Sequence, residues 1–123
     1  MKDEARERDL RTRTRAYAGM IIRLYTTLPR RRGEVDVVGK QMLRSGTSVA
    51  ANYREASRAR SDAEFVSKIE TCVQEADETD LWLELLRDEC GITDESVSVL
   101  QKETDELISI LVAIVKKVKA RNR

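Results

Sequence analysis

The chain has 123 residues and a net charge of +1, with 37% charged and 41% hydrophobic residues, one proline, five glycines and no histidine. This length suits one domain, and this balance is typical of long amphipathic helices rather than of disordered chains or β sandwiches. Because histidine is the commonest general base and transition-metal ligand, and because no glycine-rich phosphate loop occurs, we predict a protein with no enzymatic activity, no cofactor and no small-molecule substrate.

The first ten residues, MKDEARERDL, are mostly charged, and we predict that they form a frayed N-terminal extension of a single domain covering residues 1–123. A signal peptide would need an apolar core at this position. No run in the chain approaches the roughly 18 apolar residues that a membrane-spanning helix requires. We therefore expect a cytoplasmic protein with no membrane partner.

Turn residues divide the chain into four predicted helices, of which the first two surround Pro29 and the basic turn that follows it. The first should run from about Arg11 to Leu28, since proline disfavours helical backbone at the preceding residue. The second should span about Val35 to Ala59. The residues expected to point inward are Tyr17, Ile21, Leu24 and Leu28 on the first helix, and Val35, Val38, Met42, Val49 and Tyr53 on the second.

The last two predicted helices have the clearest boundaries. Ser61 and Glu64 form a capping box, in which each side chain accepts a hydrogen bond from the backbone N–H of the other. Gly91 supplies a C-terminal stop, and the fourth helix should begin at Thr93 or Asp94. Their inward residues alternate spacings of four and three: Phe65, Ile69, Cys72, Ala76, Thr79, Leu83 and Leu86, then Val97, Leu100, Thr104, Leu107, Leu111, Ile114 and Val118.

Short turns between long helices place neighbours antiparallel, so we predict an all-α, up-down-up-down four-helix bundle. The third and fourth helices carry more apolar residues than one bundle interior needs. Trp82 and Ile110 are among this surplus, and they either close the flank of the bundle or lie at a contact with a second subunit. Since large exposed apolar patches usually mark interfaces, we predict self-association.

The stretch from Arg44 to Arg60, RSGTSVAANYREASRAR, combines small residues with arginines. Gly46 costs about 1 kcal/mol of helix propensity relative to alanine, so tertiary packing must compensate. Small side chains let a neighbouring backbone approach, and we predict that Ser48 and Ala51 lie at a tight helix crossing.

Charge is distributed unevenly along the chain. The net charge is +6 over residues 1–33, +2 over 34–60, −8 over 61–91 and +1 over 92–123. Arg30, Arg31 and Arg32 in the first turn either attract an anionic partner or are simply solvated. The carboxylates of the third helix suit a solvated face better than a magnesium site, and a di-iron site would need a Glu-x-x-His pair that this chain lacks.

The second and third helices resemble those of the four-helix-bundle proteins encoded in intervening sequences of bacterial 23S ribosomal RNA genes. That family has an arginine, a pattern like S-I-P-x-N-I-A-E-G, basic residues and then E-F. The counterparts here are Arg44, residues 48–56 (SVAANYREA), Arg58 or Arg60, and Glu64-Phe65. The similarity covers roughly residues 12–120. Ala50 and Ala56 stand where the family usually has proline and glycine.

The resemblance implies pentameric rings with no established enzymatic activity. It also implies a fold similar to the accessory protein of diversity-generating retroelements, which works with a reverse transcriptase and nucleic acid. Two hypotheses remain open: an oligomer whose arginines contact RNA, DNA or a nucleic-acid enzyme, and a purely structural oligomer or mobile-element passenger. We expect Glu55, three residues after Asn52, to pair with an arginine. The candidate binding residues are Arg30, Arg31, Arg32, Arg44, Asn52, Arg54, Glu55, Arg58 and Arg60.

Overall fold

A computed structural model describes residues 2–122, with side chains described from Asp9 onward. It contains four helices, α1 (Lys2–Thr27), α2 (Gly33–Ser57), α3 (Asp62–Asp88) and α4 (Glu95–Arg121), and no strand within residues 2–122. Successive helices pack side by side, and α4 returns to contact α1. This arrangement confirms the predicted all-α, up-down-up-down bundle.

The helix boundaries differ most from the prediction at the N-terminus. The first helix begins at Lys2 rather than near Arg11, and Leu10 is only 1% exposed. Leu10 lies seven residues before the buried Tyr17, which is two helical turns, so it continues the same apolar stripe. The predicted charged extension is thus helical from Lys2 to Leu10, while the side chains of residues 1–8 lie outside the described set.

The predicted caps of α3 and α4 are largely present. The Ser61 hydroxyl accepts from the backbone N–H of Glu64 at 3.1 Å, and Asp94 caps α4 by accepting from Ser96 N–H at 2.8 Å. The second half of the capping box is shifted by one residue, since the Glu64 carboxylate accepts from the N–H of Arg60 at 3.2 Å rather than from that of Ser61. Gly91 adopts a φ of 68°, a left-handed conformation that favours glycine after a helix end.

The core consists almost entirely of the residues predicted to point inward. Only Val38 and Phe65 among them are half-buried, and every other predicted inward residue is buried. The two cysteines, Cys72 and Cys90, are buried free thiols. The spacing of apolar residues therefore predicted the core correctly at each level of the bundle.

The tight helix crossing lies at glycines of α2 rather than at Ser48 and Ala51. A Cβ atom at Gly46 would lie 2.7 Å from Cγ1 of Ile21, and one at Gly39 would lie 2.9 Å from Cδ1 of Leu28. Ser48 is half-buried and Ala51 is exposed. The prediction for those two residues was wrong because the packing face of α2 is offset from them by about one residue.

A layer of hydroxyl groups crosses the middle of the core, with one residue from each helix: Tyr17 from α1, Ser45 from α2, Thr79 from α3 and Thr104 from α4. Ser45 hydrogen-bonds to Thr79 at 2.7 Å, and Tyr17 hydrogen-bonds to Thr104. Both threonines donate to carbonyls of their own helices, which makes Ser45 and Tyr17 the donors between helices. All four residues are buried, and burial raises the pKa of Tyr17 to about 12.

The contact between α1 and α4 is the smallest of the four, and an ion pair reinforces it. Arg13 donates two hydrogen bonds of 2.8 Å to the Glu103 carboxylate and lies 3.0 Å from that of Glu106. Two parallel N–H···O bonds fix orientation as well as distance. This pair therefore helps to hold α4 against α1.

Candidate nucleic-acid interface

The bundle separates the two predicted arginine triplets. Arg30, Arg31 and Arg32 lie in the turn before α2, whereas Arg54, Arg58 and Arg60 lie at and after its C-terminal end. A helix of 25 residues is about 37 Å long at 1.5 Å per residue. The two triplets consequently lie at opposite ends of the bundle and cannot form one compact site within a single chain.

The end with the first triplet, called the acidic end, consists of residues 28–36 and 86–96. It has four basic and six acidic residues, because the antiparallel topology brings the acidic turn between α3 and α4 beside the basic turn between α1 and α2. Arg32 pairs with Glu34 at 2.8 Å, and the guanidinium of Arg30 lies 4.6 Å above the ring of Tyr25. The field of the arginines is thus largely neutralised there.

The helix α1 begins at the opposite end of the bundle, and the other chain segments at that end are residues 54–64 and 113–122, which are called the basic end. It has seven basic and three acidic residues, and all side chains of the seven basic ones are exposed. The basic last turns of α4 provide Lys116, Lys117, Lys119 and Arg121, which sequence reasoning did not include among the candidate binding residues. They could have been included, since the predicted topology already places the end of α4 at the same end of the bundle as the end of α2.

A pocket of about 300 Å³ opens at the basic end. Its apolar lining comes from all four helices and includes Leu10, Tyr53, Phe65, Ile114 and Val118. The charged groups of its lining are Arg60, Asp62, Lys117 and Arg121. Concave sites with an apolar floor and a few convergent polar groups are the usual form of ligand sites in proteins.

Residues in the middle of α2 form contacts within the protein. Asn52 donates to the Ser48 carbonyl at 2.9 Å within its own helix, and Glu55 lies 3.5 Å from Lys68 of α3. Glu55 therefore pairs with a lysine, and the expected pairing with an arginine was wrong. Arg44 lies 3.3 Å from Glu78 and is directed along the acidic face of α3. The ion pairs of Glu55 and Arg44 link α2 to α3, and of these three residues only Glu55 lies within the basic end.

The predicted interface residues are placed on the flanks of the core. Trp82 and Ile110 are half-buried and pack against core residues, while the indole nitrogen of Trp82 is buried with no hydrogen-bond partner among the described residues. Each helix has one large apolar residue that is exposed among the described side chains. These residues are Ile22, Val37, Leu81 and Val99. An interface role for Trp82 and Ile110 stays a prediction.

Residues 6–113 match the sequence profile of the 23S rRNA-intervening sequence protein family. The chain belongs to that family. It is also similar to a crystal structure of a protein of unknown function from the S23 ribosomal protein family of Bacteroides thetaiotaomicron. The two are 36% identical with a TM-score of 0.81, and the match covers 89% of this chain and 97% of the other. No curated protein matches the chain at a significant level.

Two departures of this intervening-sequence protein from the pattern quoted for the family fall within α2. The helix runs without interruption through Ala50, where the family pattern has proline, and Ala56 is 1% exposed. No helix in the described part of the chain is long and apolar enough to cross a membrane. Across residues 9–122, no group of three or more cysteine or carboxylate side chains is arranged to hold a metal ion.

Proposed function

We propose that this intervening-sequence protein is a non-enzymatic, cytoplasmic protein that binds the phosphate backbone of RNA or DNA through the basic end of its bundle. The observation that carries the proposal is that the segments of the basic end, residues 54–64 and 113–122, have seven exposed basic side chains and three acidic ones. Such a concentration of arginine and lysine on one surface is the electrostatic signature of nucleic-acid binding.

The basic end is favoured over the other arginine-bearing surfaces by its net charge. The acidic end carries two more acidic than basic residues. A phosphate chain that contacted Arg31 would therefore be repelled by the surrounding carboxylates. Arg44 is close to Glu75 and Glu78, and binding a phosphate there would require breaking those ion pairs. Of the candidate arginines, Arg54, Arg58 and Arg60 are therefore the ones we assign to phosphate contacts.

Binding of this kind depends on salt and tolerates different sequences. Each neutralised phosphate contributes about −0.7 to the slope of log affinity against log salt on single strands and about −0.9 on duplex DNA.

A pair of matched triple variants tests the assignment. Arg54→Gln, Arg58→Gln and Arg60→Gln together should weaken binding of single-stranded RNA and reduce the magnitude of the salt slope by about 2. The same three changes at Arg30, Arg31 and Arg32 remove equal charge from the acidic end and should leave the slope nearly unchanged. Fluorescence anisotropy at several salt concentrations gives both slopes. If the wild-type protein binds neither RNA nor DNA at low salt, the proposal is wrong.

A second candidate function is a structural homo-oligomer, and the resemblance to the family suggests a pentamer. The side chains of Val37 and Leu81 are 64% and 47% exposed. Their exposure favours an oligomer, because burying large apolar groups in an interface removes them from water. Sedimentation at micromolar concentration tests it directly, with Leu81→Lys as the variant expected to shift the mass toward the monomer. A wild-type protein that sediments as a monomer would remove this candidate.

A further inference from the structure

We propose that the pocket at the basic end holds one unpaired base of a single-stranded nucleic acid, stacked on Phe65, while the adjacent phosphates bind the charged rim. This inference rests on the proposed function, and it specifies the form of nucleic acid that the site takes. The pocket volume of about 300 Å³ lies at the small end of the range for small-molecule ligands, which suits one base rather than a larger group.

The fold brings together two aromatic residues of the pocket that no sequence motif connects. Tyr53 near the end of α2 and Phe65 in the first turn of α3 line the same pocket, although twelve positions separate them. Tyr53 is fully buried and forms a wall, whereas Phe65 is half-buried because the bundle ends beyond it. A partly exposed phenylalanine ring in a concave, cationic surface provides the stacking contact that single-strand binding proteins use.

The distribution of polarity within the pocket favours a nucleotide over a free anion. Leu10, Ile114 and Val118 contribute apolar surface on which a desolvated phosphate would be unfavourable but the face of a base would not. The cationic side chains of Arg60 and Lys117 also line the pocket, and both are exposed to solvent. A base on the apolar floor thus leaves its own phosphates at the level of these cations.

The carboxylate in the pocket lining does not oppose this arrangement. Asp62 lies 3.7 Å from Arg121 and accepts a hydrogen bond of 3.0 Å from Asn122, so its charge is already partly offset. A carboxylate can also accept from the exocyclic amino group of a base. Duplex nucleic acid cannot use the pocket without unpairing a base, which costs a few kcal/mol, so single strands should bind more tightly.

A short single-stranded RNA containing one 2-aminopurine tests the proposal, because the fluorescence of this base is quenched when it stacks. With the wild-type protein we expect quenching on binding and weaker binding of a duplex of the same length. Phe65→Leu keeps an apolar side chain but removes the ring, and it should weaken binding about fivefold or more with the quenching lost and the salt slope unchanged. Tyr25→Leu makes the same kind of change in the last turn of α1, near the acidic end, and should have no effect.

An oligonucleotide with abasic sites in place of its bases provides a test without any change to the protein, which matters if Phe65→Leu alters folding. It should bind the wild-type protein about fivefold or more weakly than the intact strand. Equal affinity of intact and abasic strands, or of single strand and duplex, overturns the pocket assignment while leaving phosphate binding at the basic end in place. Failure of every strand to bind at low salt overturns both proposals.

Discussion

The close approach of α1 and α2 at Gly46 leads to a sharp prediction for a single added methyl group. Gly46→Ala places a Cβ within 2.7 to 3.0 Å of three side-chain carbons of Ile21. Ile21 is fully buried and β-branched, and two of these three carbons are bonded directly to its Cβ, so they cannot move away independently of the helix backbone. The two helices must therefore separate or Ile21 must leave its preferred rotamer.

The effect of Gly46→Ala on stability is the sum of two opposing contributions. Alanine gains about 1 kcal/mol of helix propensity over glycine, whereas inserting one methyl group into a packed core typically costs about 1 to 3 kcal/mol. Gly19→Ala is the matched control, because its Cβ would meet only the end of the flexible Arg23 side chain, at 3.3 Å. The control gains the same propensity without the clash, so Gly46→Ala should be less stable than Gly19→Ala by about 1 to 3 kcal/mol.

Thermal unfolding followed by circular dichroism measures this difference. At roughly 4 °C per kcal/mol for a domain of this size, the two variants should differ in Tm by about 4 to 12 °C, with Gly19→Ala above the wild type. Adding Ile21→Val removes the Cδ1 atom and should recover part of the loss caused by Gly46→Ala. If Gly46→Ala instead raises the Tm as much as Gly19→Ala does, α1 and α2 do not approach at this point and the packing argument is wrong.

Two further predictions concern the helix cap and the buried hydroxyl layer. Ser61→Ala removes the hydroxyl that accepts from Glu64 N–H and should lower the free energy of unfolding by about 1 kcal/mol. Denaturant titration measures this change, and Ser67→Ala, at an exposed position inside α3, should have little effect. Because burial raises the pKa of Tyr17 from 10 to about 12, its proton stabilises the folded state fully below pH 10, and that contribution is lost between about pH 10 and 12. Tyr17→Phe should remove this part of the alkaline loss of stability, and an unchanged pH profile would show that the Tyr17 pKa is ordinary.

The fold could be predicted from the sequence because the apolar spacing, the helix cap and the turn residues all indicate the same four helices. The apolar periodicity, the Ser61 cap, Pro29 and Gly91 all predicted helix positions that the structure confirms within a few residues. The helical start at Lys2 was missed since charged residues on one side of a helix do not distinguish a solvated helix from an irregular extension. Leu10 indicated that the helix starts earlier, but one large buried residue after a mostly charged segment is weak evidence.

The candidate site was less predictable because it depends on which chain segments meet in space. Both arginine triplets are equally prominent in the sequence, and only the neighbouring turn or helix end distinguishes them. The turn between α3 and α4 adds acidic residues to the end that carries Arg30, Arg31 and Arg32, whereas the end of α4 adds basic residues to the end that carries Arg58 and Arg60. Similarly, no local spacing indicates that Tyr53 and Phe65 line one pocket, since this follows only from the direction of the turn between α2 and α3.

The layer of buried hydroxyl groups limits how the four helices can be aligned along their axes. An apolar interior tolerates a slide of one helix along its neighbours, since one leucine replaces another in each layer. Here, a slide of α2 by one turn would carry Ser45 about 5.4 Å away from Thr79 and break the buried hydrogen bond between them, at a cost of about 1 kcal/mol. The two buried hydrogen bonds thus fix the height of α2 against α3 and of α1 against α4, so the chain favours this one alignment of the bundle over alignments shifted by a turn.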